Sequence, residues 1–359
     1  VCSSDLHLVL NGASRWVPGL SIKQVEGGWR NLTLSGLRYE MPGVSVDAGQ
    51  IHLAVNLNCL LHSSVCVNDV SLRDISVVVD SKKMTPAAPA PEEESGSTNL
   101  STPYPITLRH LGLHNINVKV DDTAISLLDF TTGLQWQDRA LTLNPTHIQS
   151  LLIALPKAAK VVNEQVVEPK VQQPHPAEKP LGETLQAMFA QPLLPALPDF
   201  RLPLDIDIQQ ILGEQLRITG DTDISVSRLL MKAKTADRQM QLTTLEVDSD
   251  LGNLRGSGQA TLADNWPVDF ALNGTVNTDP IKGEKIALKL NGAMRDELKL
   301  ALNLSGPVDA QLSAATQLAV AGLPLSLQLT SPKLRWPLTG PVAYQADNLD
   351  YQFKGKATD

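Results

Sequence analysis

The sequence predicts an all-β-dominated fold: an elongated antiparallel sheet curved around an aliphatic interior, with one short amphipathic helix and disordered loops. Three observations carry this reading. Apolar residues recur at every second position over most of the 359 residues, which is the period of a strand with one buried face. Glycine, proline, asparagine and aspartate punctuate those runs at turn spacing. The hydrophobic fraction is 42% while aromatics make up only 4%, so the apolar faces are built from Leu, Val, Ile and Ala.

Taken in order, residues 1–6 (Val1 to Leu6) read as a sequence artefact with no initiator Met, so a leader or anchor upstream is expected. Residues 7–80 read as a β meander. Leu32 and Leu34, then Val44, Val46 and Ala48, then Ile51, Leu53, Val55 and Leu57, then Ile75, Val77 and Val79 each mark one strand face. Turns are expected at Gly27–Gly28, Met41–Pro42–Gly43, Asp47–Ala48–Gly49 and Asn68–Asp69. Residues 81–105, rich in Pro, Ala and Glu, have little to bury and are expected to be flexible. Alternation resumes over 106–155. There Leu113 to Asp121 echoes Leu72 to Asp80 at an offset of 41 residues, a weak repeat signal that suggests one strand unit used twice.

Residues 156–180 form a second flexible Pro/Glu-rich linker, followed over 181–198 by the predicted helix. Leu185, Met188 and Phe189 share one face of Gly182 to Gln191, and Pro192 stops it. Such a helix is read as a plug or lid on a sheet, because it lacks the Lys/Arg-rich polar face of a membrane-surface helix. Residues 199–359 are repeated antiparallel strands. Leu202, Leu204, Ile206, Ile208, Val268, Phe270, Leu272, Ile286, Leu288, Leu290, Leu298, Leu300, Leu302, Leu304, Leu325, Leu327 and Leu329 form the apolar faces. Asp205, Asp207, Lys289, Lys299, Asn303, Ser326 and Gln328 form the wet ones, with Gly213, Gly220, Asp264–Asn265, Asn291–Gly292, Ser305–Gly306–Pro307 and Thr339–Gly340–Pro341 as turns.

A sheet with a continuous apolar face must cover it with a second layer, by closure, or with a ligand. Helices for a second layer are lacking, and sandwich cores usually use aromatic fillers. A smooth aliphatic trough suits acyl chains, so the seventeen residues above are the candidate lipid-groove lining; packing of these faces on each other is the plainer alternative. The formal charge of −8 argues against nucleic acid, which needs a basic footprint.

Cys59 and Cys66, with six residues between them, suit a disulfide closing a short loop in an oxidising compartment; two unrelated buried thiols are the alternative. No chemistry of an enzyme is legible, and no cofactor is expected. His110 and His114 are the one close histidine pair, but they lie in a strand pattern, lack a nearby third ligand and have no Glu between them. Gly256–Ser257–Gly258 lacks the third glycine and following helix of a phosphate loop, and no Gly-x-Ser-x-Gly elbow occurs.

Several unusual strings occur together: Trp16–Val17–Pro18–Gly19–Leu20, Gly27–Gly28–Trp29, Arg38–Tyr39–Glu40, Ser101–Thr102–Pro103–Tyr104–Pro105, Glu178–Lys179–Pro180–Leu181–Gly182, Asp264–Asn265–Trp266–Pro267–Val268 and Leu304–Ser305–Gly306–Pro307. In this order, together with Cys59 and Cys66, they resemble the start of the periplasmic region of the TamB family, within the AsmA-like, bridge-like lipid transfer group. The resemblance covers the chain after its first six residues. It implies a β-taco, an N-terminal inner-membrane anchor, and a periplasmic location in a Gram-negative bacterium. It also implies docking to the barrel subunit TamA through a C-terminal domain absent from this sequence. The implied function is phospholipid transport between inner and outer membranes, with support for outer-membrane protein and autotransporter assembly. A chaperone-like scaffold presenting β edges to nascent outer-membrane proteins is the alternative.

Overall fold

A computed structural model describes residues 18–28, 30–84, 100–156, 188–194, 199–338 and 340–358. The predicted all-β class holds: among the described residues eighteen strands carry the regular structure, with short 3₁₀ turns at Leu57–His62 and Ser81–Lys83. Residues 1–6, most of the two predicted flexible stretches (85–99 and 157–180) and the first six residues of the predicted helix (182–187) lie outside the described residues.

The chain divides into two compact units, residues 1–156 with 201–257, and residues 157–200 with 258–359. The first contains β1 (Leu20–Gly28), β2 (Asn31–Met41), β3 (Val44–Val55), β4 (Val65–Val79), β5 (Thr102–Val120), β6 (Thr123–Asp138), β7 (Ala140–Leu143), β8 (Thr146–Ala154), β9 (Asp205–Thr219), β10 (Ile224–Ala236) and β11 (Gln239–Ser249). Strand β12 (Gly252–Thr261) crosses the division. The second unit contains β13 (Pro267–Val276), β14 (Lys285–Ala293), β15 (Leu298–Ser305), β16 (Ala310–Thr316), β17 (Pro324–Trp336) and β18 (Tyr344–Lys356).

Sequence-adjacent strands pair antiparallel through most of the first unit, joined by tight turns such as Pro42–Gly43, where Pro42 is followed by Gly43 at φ 82. The pairing departs from a pure meander at β4–β5, β7–β9 and β8–β9, which are parallel. A parallel pair needs a connection long enough to return the chain to the starting end of the sheet. The two long stretches that interrupt the alternation, between Val79 and Thr102 and between Ala154 and Asp205, are those connections.

The offset of 41 residues has a direct structural meaning. Leu72 pairs with Leu113, Ile75 with Ile116 and Val79 with Val120, so the two similar segments lie side by side with each residue opposite its own counterpart. Parallel strands of identical pattern place their apolar residues on one face with no further adjustment.

The expected turns at Asp47–Ala48–Gly49, Asn68–Asp69, Gly213 and Asn291–Gly292 do not form; all four lie inside strands, β3, β4, β9 and β14. Strands β3, β4 and β9 instead carry a phase slip. The apolar residues of β4 run Val70, Leu72, Ile75, Val77, those of β5 run Leu111, Leu113, Ile116, Val118, and those of β9 run Ile211, Gly213, Leu216, Ile218. In each the spacing jumps from two to three. The same jump occurs in β2 (Leu34 to Leu37), β3 (Ala48 to Ile51), β6 (Leu127 to Phe130) and β8 (Ile148 to Leu151).

Register shows that these jumps line up. Gly36, Gly49, Asp74, Asn115, Leu128, Ser150 and Gln215 each fall in the gap between paired neighbours, forming one crease across β2 to β9. Gly36, Asp74, Asn115, Ser150 and Gln215 have φ between 53 and 63. In the parallel pairs both crease residues take that conformation and hydrogen bond to each other: Asn115 Nδ2 donates to Asp74 Oδ1 at 2.6 Å, and Ser150 Oγ to Gln215 Oε1 at 2.6 Å. A residue stepping out of the ladder turns the side chains beyond it by one position and bends the strand. The crease thus keeps the apolar residues of both halves of each strand on one face.

Cys59 and Cys66 form a disulfide with Cα atoms 5.9 Å apart, joining the 3₁₀ turn to the start of β4. Asn56 caps that turn by accepting from the Asn58 amide at 3.1 Å.

Candidate lipid-facing surface

Leucine at alternate positions of an antiparallel sheet places each side chain beside its cross-strand partner, about 4.5–5.5 Å away. In the second unit this builds continuous rows. Phe270 pairs with Leu290, Leu290 with Leu300, Leu300 with Ala314, Ala314 with Leu327 and Leu327 with Phe353. The next row is Leu272, Leu288, Leu302, Leu312, Leu329 and Tyr351. Ile286 with Leu304, and Leu298 with Thr316 and Leu325, extend the face on either side. Thirteen of the seventeen predicted lining residues therefore share one face of β13 to β17.

The remaining four lie in the first unit. Ile206 and Ile208 are in β9, paired with Leu141 and Leu143 of β7, whereas Leu202 and Leu204 precede the strand. Leu202 is tied to the β10–β11 turn through its amide, which donates to the Asp237 carbonyl at 2.7 Å.

Of the seventeen, Leu298 alone is buried, at 9% exposure, and the others are half-buried. Among the described residues only Val25, Ala48, Ala263, Leu298 and Ala310 make up the buried apolar set. A closed sandwich of this content would bury most of its leucines.

The opposite face of the same strands is polar, as expected from the sequence. Lys289, Asn291, Lys299, Ser313, Ser326 and Gln328 surround a depression of about 400 Å³ floored by Ala301 and Ala315. Lys299 Nζ meets Glu297 at 3.0 Å on an exposed strand end, a contact that contributes little net stability. In the described part of the predicted helix, Met188 and Phe189 have helical backbone, whereas Ala190 and Gln191 do not. The Phe189 carbonyl accepts from the Gly322 amide at 2.8 Å and the Leu194 amide donates to the Leu318 carbonyl at 3.1 Å, which attaches this segment to the β16–β17 connection.

Sequence reasoning missed a second polar constellation, on the first unit. His110 Nδ1 lies 2.5 Å from Asp69, His114 Nδ1 2.7 Å from Asp129, and His147 Nε2 2.9 Å from Glu214. His52 stands 3.8 Å from Asp69 and bonds Thr33 at 3.0 Å. Burial raises the Asp69 carboxyl, but hydrogen bonds from Ser71 and His110 and the charges of His110 and His52 outweigh it and hold the group below the ordinary aspartate value. The separation of Asp69 from His110 is the same 41 residues as the internal echo, which was the available signal.

No described helix is long and apolar enough to cross a membrane. No solved structure matches this chain. A translocation and assembly module subunit TamB from Haemophilus influenzae is 29% identical over 89% of the chain and 25% of that protein. Two uncharacterised proteins of Buchnera aphidicola, from the Schizaphis graminum and Acyrthosiphon pisum strains, are each 18% identical, over 94% and 98% of the chain and 34% and 36% of their own lengths. The chain thus spans a quarter to about a third of these relatives. The family described as TamB, N-terminal domain, matches residues 2–359, and the chain belongs to it.

Proposed function

We propose that this chain is part of a translocation and assembly module subunit, and that its aliphatic face carries phospholipid acyl chains across the periplasm between the inner and outer membranes. The observation that supports this most directly is the unbroken apolar row from Phe270 to Phe353, whose leucines remain half-buried. At about 0.8 kcal/mol per buried CH₂, a tail of some sixteen carbons resists transfer to water by on the order of 10 kcal/mol. A face that keeps the tail in contact with leucine at each step removes most of that barrier while the headgroup stays in solvent.

In this reading Leu202, Leu204, Ile206 and Ile208 line the same kind of surface on the first unit, and no single side chain performs the function. The name of the Haemophilus influenzae relative supports membership of a translocation and assembly module; a role beside the barrel subunit TamA, with an inner-membrane anchor and a TamA-docking region outside these residues, is the part of the proposal that rests on the family resemblance alone. Support for assembly of outer-membrane proteins, autotransporters among them, follows from the same membership. The test is mass spectrometry of the chain extracted without harsh detergent. Copurified phospholipid in near-stoichiometric amount is expected; lipid-free protein would refute the reading.

A further inference from the structure

We propose that His110 and His114 form a surface site for one divalent first-row transition-metal ion such as Zn²⁺, on the polar face of the first unit. Residues four apart on a regular strand lie about 13 Å apart and do not meet. Here the register shift between Leu108 and Leu111 and the left-handed Asn115 at φ 55 distort β5 on both sides of the pair, and the residue between them is Gly112. A Cβ on Gly112 would stand 3.0 Å from His114 Nε2, 2.9 Å from His110 Cε1 and 3.6 Å from His110 Nε2. Both imidazoles therefore lean over the glycine, with their Nε2 atoms no more than 6.6 Å apart.

The ring orientation follows from the partners. Asp69 and Asp129 carboxylates only accept, so each facing Nδ1 donates and each Nε2 is the nitrogen left for a metal. A histidine whose far nitrogen donates to a carboxylate is the arrangement that orients imidazole and raises its basicity toward a metal. The two carboxylates also balance the charge of a divalent ion. With ring exposures of 46% and 31%, the side chains have room to bring the nitrogens to the roughly 2.0–2.1 Å metal distance. Among the described residues no cluster of three or more ligating side chains occurs, so water completes the coordination and the affinity is modest. The sequence concealed this because the carboxylates come from β4 and β6.

The test is calorimetric titration of the tag-free chain with Zn²⁺ at pH 7. One ion per chain is expected. His110→Asn and His114→Asn should each weaken binding at least tenfold, and Asp129→Asn, which leaves both ligands in place, should weaken it about tenfold or more. Gly112→Ala, which fills the space between the rings, should also weaken it. His147→Asn, at the separate pair with Glu214, should leave it unchanged. Circular dichroism checks the fold, and Gly112→Ala and Asp129→Asn carry the test if a histidine variant loses its sheet. Absence of saturable binding below about 1 mM, or binding unchanged in the His110→Asn/His114→Asn double variant, would overturn the proposal.

Discussion

Asn115 occupies the middle of a 19-residue strand, where valine is among the strongest strand formers. The crease predicts the opposite outcome for Asn115→Val. At φ 55 asparagine is among the few tolerated side chains, whereas a β-branched residue is strained by about 2 kcal/mol. The substitution also removes the 2.6 Å bond to Asp74 Oδ1, worth about 1 kcal/mol on an exposed surface. Together these give a loss of about 3 kcal/mol, set against a propensity gain of at most about 1 kcal/mol. In urea, with a slope near 2 kcal/mol/M, the midpoint should fall by about 1–1.5 M with little change in slope. Asn115→Gly, which keeps the backbone conformation and loses only the side chain's exposed hydrogen bonds, to Asp74 and from Asn117, should cost less than the valine, about 1–2 kcal/mol. A valine variant at least as stable as the parent would refute the crease as the device that sets side-chain phase.

Asp69 has a carboxyl held below its ordinary value, so it contributes stability above the unfolded-state value near 3.8 and loses that contribution as pH falls through the lower folded value. Acid unfolding of the parent should therefore steepen below about pH 4, and Asp69→Asn should flatten that region when both are followed by circular dichroism. For the Cys59–Cys66 disulfide, whose partners are seven residues apart, loop entropy gives about 2.5 kcal/mol. Denaturant midpoints with and without reductant should differ by a correspondingly large step, and a Cys59→Ser/Cys66→Ser protein should match the reduced parent.

Much of this architecture was legible because the strand period is simple. Within each strand from β13 to β17, as far as Leu329, the apolar residues alternate with no three-residue step, and the second unit pairs those residues in the rows their spacing implies. The first unit was harder because a three-residue step containing Gly49 or Asp74 has the same local composition as a turn. Only pairing across neighbouring strands shows that such steps fall on one line. Parallel pairing of β4 with β5 was encoded in the 41-residue echo, but one echo does not distinguish a reused unit elsewhere from a neighbour in the same sheet. The histidine constellation was hidden for a different reason. His114 and Asp129 are 15 residues apart and His147 and Glu214 are 67 apart, so their meeting depends on register and leaves no local motif. The half-buried state of Leu288 and Leu302 is likewise absent from the alternation, which looks the same for a closed core and an open face.

The most direct test of the central claim is photo-crosslinking from the aliphatic row. A photoreactive amino acid in place of Leu302, which pairs with Leu288 and Leu312, should capture phospholipid on illumination in cell envelopes. The same residue in place of Ser313, on the polar face beside the depression, should capture little. Lipid adducts at Leu302 that exceed those at Ser313 are the predicted result; adducts confined to protein segments at Leu302, with no lipid, would contradict the account.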